Sequence, residues 1–297
     1  MLPYRHGATL FAFLTRCRVV QVLAHKQLRQ LRAYMREYSL DFPLREVFAR
    51  YLNSSFLAAW RLASLANCND DEFARWVRLS GYEHFQNPLD AGRPIILCHS
   101  HFGAGKSMLL ALIRKGHVIH SVDREDVFSF YNIQARGKIV SINLGAREQT
   151  FYLKQVFRAR NVLKEGGVLH IAADGLRGTS FQELPFLDRR RRFPTSLAEL
   201  ALTTNAVIVP VLAVLNDDQR VSVEFLPALK MPEPGTDRFE AITYIVSQYR
   251  DLLESRWLSD PGSVHKGEYA IWAGLPRIDE HPPIKTRAEL TVAETVA

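Results

Sequence analysis

Most of the features that classify a chain at a glance are missing from this one. No stretch approaches the ~20 consecutive apolar residues of a membrane-spanning helix. The longest apolar run near the start, Leu10-Phe11-Ala12-Phe13-Leu14, is cut by Thr15 and Arg16. No small-residue cleavage site follows it, so a secretory signal is not expected. Cysteine is scarce. Cys17, Cys68 and Cys98 are odd in number, far apart, and form no CxxC or zinc spacing, which argues against a disulfide framework and for a reduced, cytoplasmic chain. The histidines have no metal-ligand spacing, and there is no internal repeat and no low-complexity tract. Acidic residues are absent before Glu37, although Arg5, Arg16, Arg18, Lys26, Arg29, Arg32 and Arg36 all precede it.

What remains is a chain of 297 residues, 47% hydrophobic and 23% charged, with a net charge of +7. That is long enough to bury a full core, as one large domain or two small ones. The basic balance points to anionic partners: a phospholipid surface, nucleic acid or an acidic carrier protein. Nucleic acid is disfavoured because no aromatic-interleaved binding module accompanies the charge.

Residues 1–40 carry apolar side chains at Leu10, Leu14, Cys17, Val20, Ala24, Leu28, Leu31 and Met35. This spacing predicts a basic amphipathic helix, able to lie in an anionic membrane interface or to pack on the domain with a solvated basic rim. A second helix is expected after Asp41 and Pro43, and a third from Asp70 through Val77 and Leu79 to Gly81. From Gly92 the pattern alternates: strands at 94–98, 117–122, 138–142, 168–173, 207–214 and 220–226, and helices at 106–114, near 126–136, 147–164, 195–204 and 237–257. Alternation of this kind predicts an α/β domain over 41–275, with a mostly parallel central sheet flanked by helices and a helical N-terminal layer. Residues 276–297, rich in proline and charge, read as a flexible tail. The run Arg189-Arg190-Arg191-Arg192 reads as a solvated loop, available to headgroups or to an acidic carrier protein.

The stretch that concentrates chemistry is Pro94-Ile95-Ile96-Leu97-Cys98-His99-Ser100-His101-Phe102-Gly103-Ala104-Gly105-Lys106-Ser107. A strand that hands over to a helix through glycines is where an open α/β sheet places its ligand. Two readings compete. Gly105-Lys106-Ser107 ends a phosphate loop of the G-x-x-x-x-G-K-[ST] kind, but Ser100 stands where the first glycine belongs. The strand ending at Asp174 would then supply a magnesium-holding aspartate for a nucleotide hydrolase or kinase. Alternatively, His101 is a general base at a strand end, and Gly103 and Gly105 bare backbone N–H groups to a developing oxyanion or to substrate. Arg177, in Asp174-Gly175-Leu176-Arg177, would clamp a phosphate at the same sheet edge.

Later blocks favour the second reading. Gly81-Tyr82-Glu83-His84-Phe85, Gly92-Arg93-Pro94, His101-Phe102-Gly103, Asp174-Gly175-Leu176-Arg177, Leu184-Pro185-Phe186-Leu187, Phe193-Pro194-Thr195 and Val209-Pro210-Val211 follow one another in order. Over about residues 41–260 this ordered set resembles the lysophospholipid acyltransferase superfamily, specifically the branch of late acyltransferases of lipid A biosynthesis. The resemblance implies transfer of a fatty acyl chain from acyl carrier protein or coenzyme A to a hydroxyl or amine of a lipid acceptor. It implies a peripheral position on the cytoplasmic face of the cell membrane, and no metal or redox cofactor beyond the thioester co-substrate. By the same resemblance His101 is the catalytic base, with Arg124, Asp174, Gly175 and Arg177 as substrate-binding residues; the loop itself adds Gly103 as a backbone donor and Lys106 as a cation for an anionic group of the substrates.

One position departs from the family pattern. The motif H-x-x-x-x-D/E wants a carboxylate five residues after the histidine, and here that residue is Lys106. A carboxylate there fixes the imidazole tautomer; in a serine-protease triad its loss costs about 10⁴ in turnover. Three outcomes are open. Another carboxylate orients His101, with Asp123, Glu125 and Asp126 ending the next strand and Asp174 ending a third. Or Lys106 binds an anionic group of the donor or acceptor. Or the chain is a non-catalytic relative that binds lipid or a carrier. His120 and Glu125 share the family spacing but sit in a different strand, and Arg124 is read as a phosphate ligand or as the ion-pair partner of a neighbouring acid.

Overall fold

The computed structural model describes residues 3–123, 135–143, 149–175 and 180–278, without the side chains of 123 and 149–152. Helices α1 (Tyr4–Arg16), α2 (Arg18–Leu23), α3 (His25–Glu37), α4 (Leu44–Phe56), α5 (Ala58–Ala66) and α6 (Asp70–Trp76) come first. The alternating part follows: β1 (Val77–Ser80), α7 (Glu83–Asp90), β2 (Ile95–His99), α8 (Ser107–Arg114), β3 (Val118–Asp123), β4 (Lys138–Asn143), α9 (Gln149–Lys164) and β5 (Val168–Ala172). A hairpin of β6 (Phe181–Phe186) and β7 (Arg189–Pro194) leads to α10 (Ser196–Thr204), β8 (Val207–Leu215), β9 (Val221–Phe225), α11 (Arg238–Ser259) and α12 (Glu268–Ala273).

The main sheet runs β1-β9-β8-β2-β5-β3-β4, and every neighbouring pair is parallel except β8 with β9. The expected α/β class and mostly parallel sheet are therefore found. The central strand β2 is buried along its whole length, as an apolar run covered by helices on both faces should be. Its Ile96 and Cys98 join one core with α3, α4, α9, α10, α11 and α12. Ile95 and Leu97 join a second core with α1, α5, α6, α7 and α8.

Several local expectations change. The 1–40 stretch is three helices, broken where Cys17 is extended (φ −68°, ψ 132°) and again at Ala24. Packing explains the break. Tyr4 and Ala8 of α1 belong to one face of the sheet, while Leu31, Tyr34 and Met35 of α3 belong to the other, and one straight helix cannot reach both. Residues 77–80 are a strand, not the end of a helix. Val77 and Leu79 alternate with Arg78 and Ser80, and β1 covers the open edge of β9. The arginine run is not a solvated loop but β7, whose Arg189, Arg191 and Phe193 turn inward while Arg192 is exposed. The tail is not loose at its start. Arg277 pairs with Glu37, and the Ile278 N–H donates to the Asp188 carbonyl at 3.0 Å. The helix expected near 126–136 falls almost wholly outside the described residues, as does the tail from 279 onward.

Candidate active site

At the end of β2 the chain leaves the sheet through a loop that only these residues allow. Gly103 has φ +62°, and a Cβ there would stand 1.9 Å from the Ala213 carbonyl oxygen, so the loop can press onto β8 only with glycine. A Cβ on Gly105 would meet the His99 ring at 2.7 Å. The other side of the loop is held by the segment between α11 and α12. The Gly103 N–H donates to the Ser263 carbonyl (2.6 Å), the His265 N–H donates to the His101 carbonyl (3.0 Å), and Phe102 bridges Val264 in antiparallel fashion.

The neighbouring strand β5 ends beside this loop, tied to it by the Ala173 N–H donating to the His99 carbonyl at 2.9 Å. That contact sets Asp174 directly against His101. One carboxylate oxygen accepts the His101 backbone N–H at 2.8 Å, and the other lies 2.9 Å from His101 Nδ1. The Asp174 side chain is 1% exposed and that of His101 is 44% exposed. An ionised carboxylate only accepts, so Nδ1 carries the proton and Nε2 is left as the working nitrogen. The hydrogen bond and charge of Asp174 raise the His101 pKa to about 9 against the opposing effect of burial. Burial pushes the Asp174 carboxyl up, but the bond to His101 and its charge, aided by Arg191, outweigh it and hold the group below the usual range. At neutral pH the resting pair is thus imidazolium and carboxylate, and His101 becomes a base once that proton leaves.

Behind the pair lies a second pair that the sequence did not reveal. Arg191 Nη2 donates to the Asp174 main-chain oxygen (3.2 Å) and to Glu268 Oε2 (2.9 Å). Its guanidinium lies over the rings of Phe186, Phe193 and Trp257. Glu268 is brought in by α12, and His265 sets its ring 6.1 Å from that of His101, centroid to centroid. The alternation of β7 was the one signal that separates Arg191 from its neighbours in the run.

The residues singled out from the sequence divide accordingly. His101 stands at the exposed side of the pair. Asp174, read both as a substrate ligand and as a candidate carboxylate for His101, contacts the imidazole, with its side chain buried. Gly103 does not offer a free N–H, because the Ser263 carbonyl takes it; the N–H of Ala104 is likewise given to the Ala213 carbonyl at 2.6 Å. Two of the backbone N–H groups that a phosphate loop would turn to its ligand are thus already taken. Lys106 is the residue before α8, and its charge bears on the buried His170, whose pKa is driven well down by burial first, then by His99 and Lys106. Gly175 follows Asp174 directly, and a Cβ on it would stand 3.9 Å from the Ala172 carbonyl oxygen, an ordinary contact. Arg124 and Arg177 lie outside the described residues, as do Glu125, Asp126 and the side chain of Asp123. Among the described residues no group of three or more His, Cys, Asp or Glu could hold a metal ion, and no helix is long and apolar enough to cross a membrane.

No curated protein matches the sequence. Among solved structures, the 1-acyl-sn-glycerophosphate (LPA) acyltransferase PlsC from Thermotoga maritima is similar at 14% identity and a TM-score of 0.37, over 86% of this chain and 99% of that one. The match to a family model is broader in meaning. It covers residues 45–250, which hold the nine strands found among the described residues, His101, Asp174 and Arg191, and it stops short of the segment carrying His265 and Glu268. This chain belongs to the bacterial lipid A biosynthesis acyltransferase family.

Proposed function

We propose that the protein moves a fatty acyl chain from an acyl thioester, on acyl carrier protein or coenzyme A, to a hydroxyl or amine of a lipid acceptor, with His101 and Asp174 as the catalytic dyad. The observation that carries this reading is the carboxylate of Asp174 on His101 Nδ1. It supplies from β5 the group that the family motif supplies five residues after the histidine. The non-catalytic alternative rested on the absence of such a group.

The chemistry runs as follows. His101 Nε2 takes the proton of the acceptor O–H or N–H as that atom bonds to the thioester carbonyl carbon. Asp174 stabilises the imidazolium formed. The tetrahedral intermediate expels the thiolate, and the imidazolium returns the proton to sulfur. An ester or amide and a free thiol result, and the scheme needs no resident cofactor. Gly175 and Arg177, next to the dyad in sequence, and Arg124 and Lys106 are the groups assigned to phosphate or other anionic parts of the substrates.

The lipid acceptor calls for access to a membrane surface, and the N-terminal helices support that. Phe13, Val19, Val22 and Leu23 are all more than 60% exposed, in a stretch with Arg16, Arg18 and Lys26 and no acid before Glu37. Apolar side chains and cations exposed together suit an anionic bilayer interface. We place the protein on the cytoplasmic face of the membrane, where thioester donors are made.

The test is an acyl-transfer assay with acyl-carrier and acyl-coenzyme A donors against lysolipid and amine acceptors. Wild type should transfer, and His101→Ala should not. Transfer that survives His101→Ala rejects the dyad, and ATP turnover that disappears in Lys106→Ala would revive the phosphate-loop reading.

A further inference from the structure

We propose that the buried Arg191–Glu268 ion pair is a positioning element for the His101–Asp174 dyad, and that the segment 261–273, beyond the matched family span, completes the site by delivering Glu268. The proposal rests on the acyl-transfer reading of the dyad.

The contacts form a closed circuit. His101 is bound to Asp174 through side chain and backbone. Arg191 holds the Asp174 main chain, and Glu268 holds Arg191. The chain before Glu268 returns to the catalytic loop through Ser263, Val264 and His265. That segment is itself pinned to α4, since Ser54 and Ser55 hydroxyls donate to the carbonyls of Gly262 (3.1 Å) and Val264 (3.2 Å). A shift of any one member therefore strains the others.

Stability alone is a poor reason for such a pair. The Arg191 side chain is 0% exposed and that of Glu268 is 9% exposed. Desolvating two charges commonly offsets their attraction, so apolar residues of similar volume would serve packing as well or better. What apolar residues cannot supply is a fixed field at the dyad. Facing His101 are Asp174 from the end of β5, Glu268 from α12, Arg191 from β7 and His265 from the connecting segment, while Tyr249 of α11 faces Asp174. Glu268 favours the imidazolium and Arg191 opposes it, so the pair leaves Asp174 in control while fixing its position. Without the Glu268 charge, Arg191 is uncompensated, and both changes weaken the hold of His101 on its proton.

The experiment is an NMR titration of the His101 imidazole in the full-length protein, assigned with His101→Ala, in wild type, Glu268→Gln and Glu268→Asp. Glu268→Gln should lower the His101 midpoint by about one pH unit. The rising limb of kcat/KM should move to lower pH by the same amount with KM unchanged, and Glu268→Asp should restore both. A wild-type midpoint in Glu268→Gln overturns the proposal, whatever its thermal stability. If Glu268→Gln does not fold, Arg191→Lys takes its place. It keeps the charge without the fork and should lower kcat about tenfold at an unchanged midpoint; an unchanged kcat overturns the proposal. Failure of the acyl-transfer reading shows separately, as a wild type inactive with every donor and acceptor, because the NMR midpoint needs no turnover.

Discussion

Two histidines on adjoining strands, His101 beyond β2 and His170 within β5, show how far one fold can push the same side chain in opposite directions. His101 meets a carboxylate, keeps 44% of its side chain exposed and holds its proton up to about pH 9. His170 is 1% exposed, shares Nδ1 with the Ser121 hydroxyl at 2.9 Å, and stacks on His99 at 4.4 Å. Burial, His99 and Lys106 together keep it neutral. The partner decides. A buried carboxylate makes an imidazole a proton handler, and a hydroxyl in an apolar wall makes it a packing residue.

The sharpest way to break that contrast is to remove the carboxylate. Asp174→Asn keeps the shape but no longer fixes the tautomer, and kcat/KM should fall by about 10³–10⁴. His170→Gln should change kcat/KM by less than about tenfold, because His170 is buried and has no part in the proposed proton transfer. Equal losses in steady-state assays of the two variants would show that the histidines are not the different species described.

Next in size is the pH dependence. With a His101 pKa of about 9, only about one per cent of the site is in the basic form at pH 7, so kcat/KM should climb nearly tenfold per unit toward pH 9 and then level. In Asp174→Asn the midpoint should fall toward the ordinary imidazole value, flattening the profile above pH 7. A wild-type profile already flat at pH 7 would detach Asp174 from the control of His101.

The sheet and the histidine were legible in the sequence because both are written locally. Continuous apolar runs such as Ile95–Cys98 and Val207–Leu215 read as buried strands, and His101-Phe102-Gly103 marked the loop. Asp174 was visible as one of four candidate carboxylates but could not be singled out, because the distance between two strand ends depends on strand order. That order was absent from any spacing. Arg191 was hidden inside four identical letters, where only the period of a strand separates inward from outward side chains. Glu268 was beyond reach altogether, since it arrives from a segment whose place against the loop after β2 is set by backbone hydrogen bonds to 101–103. The N-terminal helix failed for a related reason. Its spacing is continuous, yet its two ends pack on opposite faces of the sheet.

Stability should also separate the two histidines. The His101 pKa is raised above its unfolded value of 6.5, so its contribution is complete below that value and is lost as pH rises through about 9. The His170 pKa is depressed, so its contribution is present above 6.5 and is lost as pH falls. Thermal melts should show Asp174→Asn losing stability chiefly below pH 9, where the pair exists. His170→Gln should cost about 1–3 kcal/mol near neutral pH through the disturbed bond to Ser121, and its melting temperature should fall less than wild type on acidification from pH 7 to 5. Parallel acid limbs for wild type and His170→Gln would mean that His170 is not the buried neutral group.

The smallest expected effect concerns Lys106, which occupies the position of the family carboxylate. If the site had decayed at that residue, Lys106→Glu would restore the motif and raise activity. With Asp174 already on Nδ1, the imidazole has no further donor to offer on that side, and a second carboxylate has nothing to orient. The Lys106 charge bears instead on His170, pressing it toward the neutral form. Lys106→Glu should therefore raise the proton affinity of His170 while changing turnover, at saturating donor and acceptor, by less than about threefold. If Lys106 contacts an anionic part of a substrate, the loss belongs in KM for that substrate and not in kcat. A large gain in kcat would show that the Asp174 contact does not orient His101 during turnover, and it would move the working carboxylate back to the position five residues after the histidine.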